Sequence, residues 1–470
     1  MGTIKASGSA APRICVIGAG PSGLTTLKNV LSVGLRDVVC FEESDAIGGN
    51  WVFREETDRM SVYEATHIIS SKKLSGFDDF PMPRDYPDFP SQRQLLAYFE
   101  GYADRFGLRP YIRLKTRVTQ TRPMTGGKWL IQLQGPDGPA EESFDYLLVC
   151  SGHHREPSVA TYPGYFTGQS LHSCAYRRAE PFRDKHVLVV GAGNSACDIA
   201  VDISRVARST CISMRRPAYI IPKLIWGYPV DVFYAFFRFL PKPVVPSVLR
   251  LLLRVHIGPY EWYGLQAPAG TPLNTHPTLN SSILEALRHG RVLARVGIDR
   301  FEDDKVHFKD GRMERFDAIV WGTGFRISFP FLPSSVVDWD TTRRPPLYLK
   351  MMHRSLPSIF FIGLFQPIGC IWNLADYQAR IAVEQITGQL ERPRDIEGRI
   401  ADEMAAPHWR FGDSPRHAIE VDAHDFRREL LRELASASGH AAAAPPRSVT
   451  ASRRFIRLSH WRGRQRSATQ

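Results

Sequence analysis

Apolar runs, glycine turns and helical stretches alternate in this chain, and the alternation repeats. Residues Arg13–Phe41 read as strand, turn, helix, strand: the apolar ICVI precedes GAGPSG, LTTLKNVLSVG has helical spacing, and DVVCF closes the unit. Residues 185–213 repeat the plan with HVLVV, GAGNSA, CDIAVDISRVA and STCIS. A second echo links FDYLLVCSG (144–152) to FDAIVWGTG (316–324); each reads as a buried strand running into a turn of small residues. The stretch 230–258 is apolar with interspersed Arg and Pro, and its three prolines rule out one long helix. It reads as a helix pair packed on its neighbours, as a substrate mouth, or as a segment dipping into a membrane interface. Residues 276–292 read as a turn and then an amphipathic helix capped near Gly290. The pattern predicts an α/β fold with two nucleotide-binding Rossmann-like domains.

The spacing inside each turn has a physical reason. The first glycine (Gly18, Gly191) permits a tight turn, and the second (Gly20, Gly193) lets the backbone approach a pyrophosphate. The third place (Gly23, and Ala196 in the second copy) sets close helix–strand packing, so that the helix N-terminus faces phosphate charge. Ser195, at the head of the second helix, joins the same cofactor-binding set. The residue 24 positions beyond the first glycine separates the two ligands: it is Glu42 in one copy and Arg215, followed by Arg216, in the other. A carboxylate accepts from ribose hydroxyls and repels a 2′-phosphate, whereas guanidinium grips that phosphate with forked bonds. A non-phosphorylated adenine dinucleotide is therefore expected at the first turn and NADPH at the second.

Composition changes this picture little. The 470 residues suffice for two or three domains, and 43% hydrophobic with 23% charged residues is ordinary for a globular protein. No stretch of about 18 apolar residues occurs. The first residues, MGTIKASGSAAPR, lack a signal-peptide core, and Ala6 breaks the myristoylation pattern, so a cytoplasmic location is expected. Seven scattered cysteines without a CxxC pair argue against a disulfide reductase and a zinc site, and no metal is expected. The formal charge of +12 owes much to seven arginines in 446–470, a region without acidic residues behind the linker GHAAAAPP. The tail (441–470) is expected to be solvated and disordered; a weak membrane-surface contact is the sharper alternative, and no nucleic-acid partner is expected.

With these motifs in place, residues 12–390 resemble the flavin-containing monooxygenase family. GAGPSG with FEESDAIGGNW is similar to its FAD region, with Glu42, Gly48, Gly49 and Trp51 at motif positions. Residues 166–177 fit its pattern FxGxxxHxxxY at Phe166, Gly168, His172 and Tyr176. Related Baeyer–Villiger enzymes usually carry Trp in place of Tyr176. SMRRPAYIIPK (213–223) resembles the NADPH-phosphate segment, and GTGF (322–325), with Thr323, resembles the ATGY element. One departure stands out: where the family usually has an asparagine beside the flavin, this chain has Ile69, with Ser70 or Ser71 as the alternative hydroxyl.

The resemblance implies FAD and NADPH as cofactors, with the NADPH domain inserted into a discontinuous FAD domain. The expected boundaries are 12–165 for the first FAD part, 166–315 for the NADPH domain with a substrate-side insertion at about 220–275, and 316–440 for the FAD return and C-terminal helices. It implies a monooxygenase acting on a small organic substrate with O2 through a C4a-hydroperoxyflavin, oxygenating a soft N or S atom. Baeyer–Villiger oxygenation of a ketone and an uncoupled NADPH oxidase or redox sensor are the alternatives. His172 is expected to make a structural or NADP-orienting hydrogen bond rather than to transfer protons. His153 and His154 lie either near the flavin edge or cap a loop. Trp372 and Gln378 either return to the flavin or pack a helix. The substrate's identity and the oligomeric state, a homodimer among the options, stay open.

Overall fold

The computed structural model describes residues 11–56, 60–234, 237, 240–241, 243–270, 272, 277–339, 344–405 and 418–437; the Arg-rich tail lies outside them. Strand Ile14–Ile17, buried along its whole length, pairs in parallel with Val38–Phe41 on one side and Tyr146–Val149 on the other. Between the first two runs helix Pro21–Ser32, which begins where Pro21 presets the first helical φ and stops before Gly34 at φ +88°. Its Leu24, Leu27 and Val30 are fully buried, each stabilising the layer by about 1.5–3 kcal/mol relative to exposure. Helix Trp372–Ile386 packs against it, and helix Gln92–Arg105 is fixed at its start by a reciprocal Ser91–Gln94 capping box.

The seven-stranded sheet around Ile14–Ile17 draws strands from both ends of the chain. Ile112–Arg113 forms one edge, and Ile359–Phe361, Met352–His353 and Leu347–Tyr348 extend the other. A second sheet of five parallel strands runs Leu293–Arg295, Ser209–Ser213, His186–Val190, Ala318–Trp321, Gln169–His172. The second unit thus lies in sequence between two contributions to the first.

One expectation is corrected. Residues 316–324 do not begin the return to the first sheet: Ala318–Trp321 pairs with His186–Val190 and Gln169–His172 inside the second. The return comes later, with Leu347–Tyr348, Met352–His353 and Ile359–Phe361. The echo between the two Phe-Asp strands has a different origin. Each follows a three-stranded antiparallel meander (Arg117–Pro123, Trp129–Gly135, Gly138–Phe144; and Ile298–Glu302, Lys305–Phe308, Met313–Arg315) and then settles beside its own glycine-turn strand. The two units repeat strand, helix, strand, meander and strand.

The stretch 230–258 contains helices Val230–Tyr234 and Val245–Ile257. Val245, Leu249, Leu253 and Ile257 bury one face of the longer helix, while Leu251 (62% exposed) and Val255 (70%) leave the other face apolar and open. Helix Ser282–Arg288 ends at His289 before Gly290 at φ +68°, as its sequence predicts. Among the described residues no helix is long and apolar enough to cross a membrane. All seven cysteines are free thiols, and Cys15, Cys40, Cys150 and Cys211 are core residues of the strands and their ends.

Candidate active site

The first glycine turn is made by contacts that exclude side chains. Gly18 stands at φ +98°, and a β-carbon there would lie 3.0 Å from the Cys150 carbonyl oxygen. One on Gly23 would lie 1.8 Å from the Gly18 oxygen, which is why the third position is glycine. Gly20 and Gly49 come together: a β-carbon on Gly49 would be 3.1 Å from the Gly20 α-carbon. This leaves bare backbone at the start of helix Pro21–Ser32, whose N-terminus has no side-chain cap. Such an end, with free N–H groups and a positive dipole, suits a pyrophosphate. Glu42, buried at the end of its strand, accepts from the N–H of Ala19 (2.8 Å) and of Ser44 (2.8 Å), one on each oxygen. Each oxygen keeps a further lone pair for a ribose hydroxyl.

The second turn repeats the construction with one compensation. Gly191 is at φ +139°, and a β-carbon there would lie 2.3 Å from the Gly322 oxygen. Ala196 takes the third position because its neighbour is Gly322, where an added β-carbon would stand 2.6 Å from the Ala196 methyl. Gly193 is the uncapped N-terminus of helix Asn194–Ile203, and Ser195 is exposed beside it. Asn194 accepts from the N–H of Leu279 at 2.8 Å, and Thr278 donates to the Ala192 carbonyl. Arg215 and Arg216 follow strand Ser209–Ser213, are exposed, and form no ion pair among the described residues. Bare backbone at both turns, a carboxylate beside one and free guanidiniums beside the other fit FAD and NADPH respectively.

Between the turns lies a chain of rings at the C-terminal ends of the strands, where open α/β sheets bind ligands. His153 contacts His154 (4.3 Å between centroids), His154 contacts Phe325 (5.1 Å), and Phe325 contacts His172 (5.1 Å). Burial pushes His153 and His172 down from the ordinary histidine value, and burial with His153 nearby pushes His154 down to about 3. All three are neutral at pH 7. Nδ1 of His172 accepts from the Cys174 N–H (3.2 Å), so Nε2 carries the proton, and that atom is buried, faces the Gly324 backbone and makes no well-aligned hydrogen bond. His172 can therefore offer one N–H donor, whereas its depressed basicity makes it a poor proton acceptor.

The segment 62–76 is stitched to both units. Tyr63 donates to Asp198 (3.0 Å) on the second glycine-turn helix, Asn280 donates to the other Asp198 oxygen (2.6 Å), and Tyr176 donates to Asp202 (2.7 Å) one turn further. Tyr63 and Tyr176 meet edge to face at 5.6 Å. Burial raises the Asp198 carboxyl and depresses the Lys223 ammonium, each opposed by the other's charge. Lys223 reaches the Ile68 carbonyl (3.4 Å), and Asp231 accepts from the Ser71 N–H (2.6 Å). At the far end Trp372 donates to the Ser75 carbonyl and Asn373 to that of Leu74 (2.9 Å).

Ile69 sits half-buried within this segment. The two hydroxyl alternatives separate cleanly. Ser75 donates to the Ser71 carbonyl (2.7 Å), so the Ser70 hydroxyl spends its proton on Ser75 (2.8 Å). Ser71 Oγ is fully buried and has no partner.

Other sequence candidates have structural commitments. Trp51 lies in an aromatic cluster with Phe99 (6.4 Å) and Trp372 (5.8 Å). The Thr323 hydroxyl donates to the Ser158 carbonyl. Gln378 accepts from the Gly363 N–H (2.8 Å) and donates to the Leu349 carbonyl (2.9 Å), a tie within the fold. Sequence reasoning missed Gly363, at φ +84°, where a β-carbon would stand 2.4 Å from the Ser22 hydroxyl. A glycine closing the apolar run IFFI was its only local signal. Asp198 and Asn280 were missed too, because their pairing is made only in three dimensions.

The model of the flavin-binding monooxygenase-like family matches residues 11–439. Flavin-containing monooxygenase 5 of Rattus norvegicus is 34% identical over 442 residues, spanning 89% of this chain and 82% of that one. The N-oxide-forming dimethylaniline monooxygenase 2 of Rattus norvegicus is 34% identical over 443 residues, spanning 90% and 82%. Among solved structures, S-allyl-L-cysteine S-oxygenase from Allium sativum superposes with a TM-score of 0.69 at 23% identity, covering 91% of this chain and 89% of that one. NADP+-bound cyclohexanone monooxygenase from Rhodococcus sp. Phi1 gives 0.69 at 17% identity, covering 90% and 97%; at such identities both speak to the fold alone. The chain belongs to the flavin-binding monooxygenase-like family and is a flavin-dependent monooxygenase that uses FAD, NADPH and O2.

Proposed function

We propose that the protein oxygenates a soft nucleophilic nitrogen or sulfur atom of a small organic substrate. The observation that carries this reading is the pair of glycine turns, one beside Glu42 and one beside Arg215, linked by a chain of neutral, largely buried histidines. Support for a heteroatom substrate comes from the N-oxide-forming relative and from Tyr176, which stands where ketone-oxygenating enzymes usually carry Trp.

Bound FAD, reduced by NADPH, supplies the electrons that send one atom of O2 to the substrate and the other to water. The chain's residues do the rest. Glu42 and the first turn hold FAD; Gly191, Gly193, Ser195, Arg215 and Arg216 hold NADPH. His172 would offer its Nε2–H to bound NADPH, and the burial of His153 and His172 limits the access of water to the junction. Ile69 has no side-chain donor to offer beside the flavin, and the buried, unpartnered hydroxyl of Ser71 is the donor that would replace the asparagine there.

The test uses the FAD-loaded protein with NADPH, O2 and a tertiary amine, a thioether or a ketone, with products identified by mass spectrometry. An N-oxide or sulfoxide is expected, and Ser71→Ala should lower product per NADPH and raise H2O2. An ester from the ketone with no heteroatom product would overturn the substrate class. An unchanged yield in Ser71→Ala would overturn the assignment of Ser71.

A further inference from the structure

A lysine on the second meander stands beside the arginine assigned to the 2′-phosphate. Strand Ser209–Ser213 ends next to Leu293–Arg295, and the backbone crosses from one to the other through Met214 N–H to the Arg295 carbonyl (3.0 Å) and the Ser213 hydroxyl to that of Val296 (2.7 Å). This sets Arg215 directly over Gly297. The Lys309 N–H in turn donates to the Gly297 carbonyl at 2.9 Å. A β-carbon on Gly297 would lie 3.3 Å from the Arg215 α-carbon and 3.7 Å from Cδ of Lys309. The two cationic side chains therefore flank one glycine, and a larger residue there would crowd both.

The charges around this point are unevenly matched. The nearby carboxylates are engaged elsewhere: Glu314 with Arg295 (2.6 Å), Asp299 with Arg300 (3.2 Å), Asp310 with Arg312 (3.5 Å), Asp304 with Arg315 (2.8 Å), and Glu302 with Lys305 (2.9 Å) and His307 (3.0 Å). Arg215, Arg216 and Lys309 are all exposed and form no ion pair among the described residues. Arg215 and Lys309, brought to the two sides of Gly297 with no counter-ion among the described residues, repel one another, and a dianionic phosphate placed between them removes that repulsion.

We infer that Lys309 is a third cation of the 2′-phosphate site and contributes to the choice of NADPH over NADH. The inference rests on the assignment of Arg215 to that phosphate. Its lysine comes from the meander rather than from the strand, helix, strand motif, so the glycine-turn pattern gives no hint of it.

The test is equilibrium binding of 2′,5′-ADP and of 5′-AMP to the FAD-loaded protein by calorimetry, with KM for NADPH and NADH measured in parallel. Lys309→Ala should weaken 2′,5′-ADP about tenfold and change 5′-AMP less than about twofold. Lys309→Arg should restore binding, and the Lys309→Ala loss should shrink at high salt. If Arg215→Ala abolishes the preference for 2′,5′-ADP while Lys309→Ala leaves it intact, Lys309 is excluded and the phosphate site stands. If neither variant alters the preference, the assignment of the phosphate site itself fails, and the role of Lys309 fails with it.

Discussion

A β-carbon on Gly322 would stand 2.6 Å from the methyl of Ala196 and 3.1 Å from the Ala196 nitrogen. No rotamer relieves that contact, since both partners lie at the backbone. Gly322→Ala should therefore cost about 1–3 kcal/mol by overpacking, lowering Tm and weakening NADP+ binding while flavin content holds. Ala196→Gly in the same chain should recover much of the loss; an unchanged Tm and affinity in Gly322→Ala would contradict the packing account. At this scale the sequence is informative where chemistry is local. The turn glycines and the contrast of Glu42 with Arg215 follow from spacing alone. The choice between Ser70 and Ser71 does not, because it depends on Ser75 spending its own proton on the Ser71 carbonyl. Lys309 was invisible for the same reason: its partner, Arg215, lies 94 positions away in the chain.

Helix Pro21–Ser32 meets helix Trp372–Ile386 around a buried ion pair, Lys28 with Asp376 at 2.8 Å, their side chains 8% and 6% exposed. Asp376 also accepts from Thr25 and from Asn29 (2.8 Å), and Arg380 pairs with its second oxygen (2.8 Å). Against the burial that opposes ionisation, the Lys28 and Arg380 charges hold the carboxyl below its ordinary value. Lys28→Met leaves that buried carboxylate with Arg380 alone as its cation and should cost about 2–3 kcal/mol in denaturant unfolding. The double variant Lys28→Met/Asp376→Leu should recover most of it, because the under-compensated buried carboxylate is gone and Arg380, 36% exposed, keeps contact with water. A single-variant cost under about 1 kcal/mol would place the pair with weak surface bridges instead. Elements were legible as types more readily than as neighbours. Ala318–Trp321 reads as a buried strand from its residues, yet nothing in four apolar positions says which sheet receives it. The Phe-Asp echo marked equivalent places in two repeated units, each beside its own glycine turn, rather than two steps of one sheet.

The whole molecule is two nucleotide-binding units joined by specific polar ties. Tyr63 reaches Asp198, Asp231 reaches the Ser71 backbone, and Thr323 reaches Ser158. The repeat that announces the two units is legible because each is built from consecutive residues. Their junction is not, since it is assembled from residues 63, 153, 172, 198, 280 and 325, which come from distant stretches. On the proposed function, this junction delivers electrons from NADPH to O2 and one oxygen atom to the substrate. The most direct test is to react the FAD-loaded protein with NADPH and a thioether under isotopically labelled O2, counting product, label and H2O2 together. One labelled oxygen in each sulfoxide, product close to one per NADPH and little H2O2 are expected. Flavin reduction with H2O2 matching NADPH and no labelled product from thioether or amine would contradict the proposed function.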